Sequence, residues 1–104
     1  MTVDELIEYK KCFGLQKWKL IDKIKKTNNS QFTYECIHRR EELGIGYWDI
    51  IRLIQQETNP AYLEKYIDRK EELHIEELYL WDILFQIKNP VYINDYIKER
   101  VRRA

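Results

Sequence analysis

The chain has 104 residues, 44% of them apolar and 35% charged, a length for one domain and a mixture that favours a folded, soluble chain over a disordered one. Its 3 Gly and 2 Pro leave little turn chemistry for an all-β chain, and no apolar run approaches the roughly 18–20 residues of a membrane span. Met1 leads into Thr2, Val3, Asp4 and Glu5 rather than a basic and then apolar leader, and the 18 basic and 18 acidic residues cancel, so no global field steers the protein to nucleic acid or an anionic membrane.

A capping box opens the chain: Thr2 and Glu5 have its three-residue spacing, which predicts a first helix over 3–13. From there the sequence repeats itself every 30 residues, without gaps, over 7–36, 37–66 and 67–96. Ile7, Ile37, Ile67 and Ile97 share one column, Asn29, Asn59 and Asn89 another, and Gly14, Gly44 and His74 a third. Repeats two and three agree at eleven of 30 positions, repeats one and two at six.

Each repeat reads as a helix pair. Asn59-Pro60 supplies a capping oxygen and then a proline where no N–H is needed, and Tyr62, Leu63, Tyr66 and Ile67 follow as one apolar stripe. The Gly14, Gly44 and His74 column fits a left-handed stop, followed by a second helix with Ile45, Trp48, Ile51 and Ile54 inward. The predicted helices are 3–13, 16–27, 30–43, 46–57, 60–73, 76–87 and a closing helix over 90–103. A pair this short cannot bury its own stripe, so the expected fold is all-α: one domain over 1–104, a short solenoid-like α/α repeat of about seven antiparallel helices.

In this frame the aromatic-rich 13% is mostly core. Tyr62, Tyr66, Tyr92 and Tyr96 alternate by column with Phe32 and Cys36, and Trp18 and Trp48 share a column with Leu78, so packing is expected of both sets. Cys12 and Cys36 are too few for a disulfide framework and read as thiols of a reducing, cytoplasmic compartment. His38 and His74 have no partner at a useful spacing, and adjacent acids such as Glu41-Glu42, Glu71-Glu72 and Glu76-Glu77 diverge around a helix. No catalytic, cofactor or metal site, no enzyme activity and no small-molecule substrate is therefore expected.

Two surfaces stand out. Helix 76–87 is apolar nearly all round, and Tyr79, Ile83 and Ile87 form a second stripe at i, i+4 and i+8, expected either beneath the closing helix or exposed to a partner. Lys19, Lys23 and Lys26 form a basic face on helix 16–27, with Asp22 between them, and are the nucleic-acid candidate. The pieces Glu42-Leu43-Gly44-Ile45, Asp49-Ile50-Ile51 and Asn59-Pro60 resemble the helical repeats of mitochondrial transcription termination factors, which bind nucleic acid; the resemblance covers the second repeat, and the short length and zero net charge depart from that family.

The expected function is a non-catalytic protein–protein interaction module, a helical-repeat adaptor or inhibitor of the size of antitoxins, immunity proteins and anti-defence inhibitors. It would bind another protein or a second copy of itself through Tyr79, Ile83 and Ile87. Nucleic-acid binding through Lys19, Lys23 and Lys26 is the alternative.

Overall fold

The computed structural model describes residues 1–103, with side chains through 102. It is all-helical, with eight helices and no strand among the described residues. Two compact units divide at Glu57 and Thr58, inside the second repeat, where the sequence reads as one domain.

The first unit begins with α1 (Val3–Phe13). Thr2 and Glu5 close the capping box in both directions, and Val3, Leu6 and Ile7 turn inward. Gly14 stops the helix at φ 58°, a backbone region that an L side chain enters at a cost of about 1–2 kcal/mol. Next comes α2 (Lys17–Thr27), which buries Leu20, Ile21 and Ile24 and ends at Asn28 in the same left-handed region.

Asn29 caps α3 (Ser30–His38) by accepting the Phe32 N–H at 3.0 Å. Residues 30–43, expected as one helix, bend at Arg39 (φ −102°, ψ 33°) and continue as the single turn α4 (Arg40–Leu43). Gly44 at φ 69° ends it, and α5 (Tyr47–Gln55) completes the unit with Ile50, Ile51, Leu53 and Ile54 inside. Lys10 reaches across from α1 to the carbonyl of Leu43 at 2.7 Å, satisfying an acceptor that a helix C-terminus leaves open.

The second unit repeats these devices. Asn59 caps α6 (Pro60–Asp68) through the Ala61 N–H, with Pro60 at the first position. The expected helix 60–73 also bends one residue past α6, at Arg69 (φ −107°, ψ 19°), and the chain passes through a turn to His74 at φ 55°. Then follow α7 (Glu77–Ile87), stopped by Lys88 at φ 57°, and α8 (Pro90–Arg103), whose first N–H groups Asn89 caps through Val91.

Both bends carry the same side-chain clamp. Arg39 grips Glu42, and Arg69 grips Glu72, each through two nitrogens at 2.7–2.9 Å. In the first repeat those columns hold Tyr9 and Cys12, and α1 runs unbroken to Phe13. The consequence shows in the next column: Leu43 and Leu73 are buried, whereas Phe13 is 71% exposed.

Candidate partner-binding surface

Trp18, Trp48 and Leu78, expected in the core, are 65%, 59% and 68% exposed. Each is the second residue of its helix, and at 3.6 residues per turn Trp18 points roughly 110° away from the centre of the Leu20, Ile21 and Ile24 face. That phase was available in the sequence, but matching Trp with Leu by column concealed it. Within the first unit the ends bearing the two tryptophans are brought together. Lys17 Nζ lies 2.8 Å from Asp49 Oδ2, and the same carboxylate accepts the Gly46 N–H at 3.1 Å. Trp18 follows Lys17 and Trp48 precedes Asp49, so the ion pair joins the two helix starts that carry the exposed indoles.

The rings are ordered by their neighbours. The Trp18 indole N–H donates to Gln16 Oε1 at 2.7 Å, and Lys19 Nζ lies 5.4 Å from its ring centre. Tyr47 meets the Trp48 ring edge-on at 5.3 Å. Nearby on α1, Tyr9 and Phe13 lie 4.8 Å apart, and Lys23 Nζ reaches over Tyr9 at 4.8 Å. Of the basic face, Lys19 and Lys23 thus sit against aromatic rings, while Lys26 is held by Asp22 at 2.9 Å.

The second-unit stripe is divided. Ile83 and Ile87 are buried at 4% and 8% exposure and Tyr79 is half-buried, which takes the two isoleucines off the surface. The apolar residues that α7 exposes are Leu78 and Phe85, the latter stacked at 5.7 Å on Trp81. Of the ring ladder, Tyr66, Phe32 and Cys36 are buried and Tyr62, Tyr92 and Tyr96 half-buried, with Tyr96 edge-on to Trp81 at 5.2 Å.

An open groove of about 810 Å³ runs between the 70–77 segment and α8. Four of its charges are matched in pairs: Lys70 with Glu99 at 3.3 Å, and Arg100 with Glu77. Both cysteines are free thiols. Burial pushes the Cys36 thiol up to about 12, which keeps it protonated and inert, whereas Cys12 is exposed. Arg39 hydrogen-bonds Glu42 and holds its carboxyl below the usual range. Burial raises the Tyr92 hydroxyl, helped by the negative charge of Asp68, Glu64 and Asp95. Among the described residues no group of three or more His, Cys, Asp or Glu could hold a metal ion, and no helix is long and apolar enough to cross a membrane. The chain matches no family model, no curated protein and no solved structure.

Proposed function

We propose that the chain is a non-catalytic protein-binding module whose first unit meets its partner through Trp18 and Trp48. The observation that carries this reading is the pair of exposed indoles at the starts of α2 and α5, which the Lys17–Asp49 ion pair joins. Trp is enriched among the residues that dominate binding energy, because it transfers a large apolar area while its N–H keeps a polar partner. Five lysines against one aspartate on α2 select a partner whose apolar pocket is rimmed by carboxylates.

Affinity capture from the native host, run in parallel with wild type and Trp18→Ala/Trp48→Ala, tests the reading. A protein retained by the first and lost with the second, and then shown to bind as a purified component, supports it. Equal retention of every protein by both baits contradicts it.

Nucleic acid is the second reading, favoured by Lys19 and Lys23 beside exposed rings, an arrangement that single-strand binders use for stacking and phosphate contact. It requires oligonucleotide binding at low salt that weakens steeply as salt rises and disappears in Lys19→Glu/Lys23→Glu.

A further inference from the structure

The repeat makes α8 the counterpart of α1, α3 and α6, and one column sets it apart from the other three. Ile7, Ile37 and Ile67 are 5%, 0% and 6% exposed, but Ile97 in the same column is 44% exposed. One turn further on, Val101 is 69% exposed, and one turn back Ile93 is half-buried where its counterpart Leu63 is fully buried. The sequence of α8 therefore carries the inward stripe of its relatives, and the structure leaves its Ile97–Val101 part uncovered.

The contacts that α8 makes with the rest of the unit lie on a neighbouring side of the helix. Tyr96 meets Trp81, Glu99 pairs with Lys70 and Arg100 pairs with Glu77. At 100° per residue these three positions cluster within about 100° of arc, Ile97 and Val101 point roughly 110° and 150° away from its centre, and Ile93 lies at its border. Alongside that apolar stripe runs a second row one turn apart, Lys98 and Arg102, both exposed.

In α6 the equivalent residues Leu63 and Ile67 are covered, and α6 packs against a helix, α7. The shape of the missing cover is therefore helical, and the cationic row sets its charge. A second copy of this chain paired symmetrically through α8 would set the same basic end against itself, since residues 97–104 carry four basic residues and one acid. We propose that the Ile97–Val101 face of α8 docks an amphipathic helix of a partner protein, with carboxylates flanking its apolar stripe. This surface belongs to the second unit and stands independently of the Trp18 and Trp48 reading.

The test uses the full chain and two synthetic helical peptides with one apolar stripe at i, i+4 and i+7, flanked by Glu in one and by Lys in the other. The Glu-flanked peptide is expected to bind at least tenfold more tightly, to weaken with salt, and to lose at least tenfold in affinity for Ile97→Glu/Val101→Glu. Trp18→Ala/Trp48→Ala is expected to bind it as wild type does. Should the isoleucine–valine variant fail to fold, Lys98→Glu/Arg102→Glu replaces it and is expected to reverse the peptide preference. Absence of binding, equal binding of both peptides, or affinity indifferent to these substitutions overturns the proposal. Concentration-dependent self-association that Ile97→Glu/Val101→Glu abolishes also overturns it, by making a second copy the occupant.

Discussion

Arg39 and Asp4 are 35 positions apart in sequence, yet Nη1 and Oδ1 meet at 2.5 Å, while the same guanidinium holds Glu42 in α4. One side chain thus ties the head of α1 to the bend between α3 and α4. Because Glu42 titrates below its unfolded value, its contribution is present above the ordinary carboxylate range and is lost as pH falls through the folded value. Urea unfolding of wild type and Glu42→Gln should therefore differ most near neutral pH, with the gap closing in acid. A gap that stays constant from pH 7 to about 3 contradicts the assignment.

The left-handed stops make a paired prediction. Gly14→Ala places a Cβ at φ 58° with no neighbour to strike, so its cost is conformational, about 1 kcal/mol. His74→Gly relieves the same strain at φ 55° and should stabilise by a similar amount. Denaturant midpoints that move the same way for both substitutions rule out this account of the column.

Trp18→Ala and Trp48→Ala should each change stability by no more than about 0.5 kcal/mol, as surface positions do. Ile24→Ala and Ile54→Ala, on the buried faces of the same two helices, should cost about 2–5 kcal/mol. Comparable losses at all four positions would return the tryptophans to the core.

The cysteines separate by accessibility. An aromatic disulfide reagent at pH 8 should titrate one thiol, Cys12, in the native protein and a second, Cys36, after denaturation. Two fast native thiols contradict the burial of Cys36.

Much of this fold could be read from local chemistry. The Thr2–Glu5 box, the Asn29, Asn59 and Asn89 caps and the left-handed stops at Gly14, Gly44 and His74 depend on a few adjacent residues, and each forms where the sequence places it. The bends at Arg39 and Arg69 were not legible, because Arg and Glu three apart also suit an unbroken helix. The direction of Trp18 and Trp48 was missed for a different reason. Shared columns show that positions are equivalent, and equivalence holds for exposed positions as well as buried ones. The stripe of Tyr79, Ile83 and Ile87 was recognised as apolar, but its burial depends on neighbours that no single helix specifies.

Calorimetric titration of the purified partner into wild type and Trp18→Ala/Trp48→Ala tests the central claim most directly. If the two indoles anchor the interface, the double variant binds at least about 30-fold more weakly while its thermal unfolding matches wild type. Equal affinity for both proteins would contradict it.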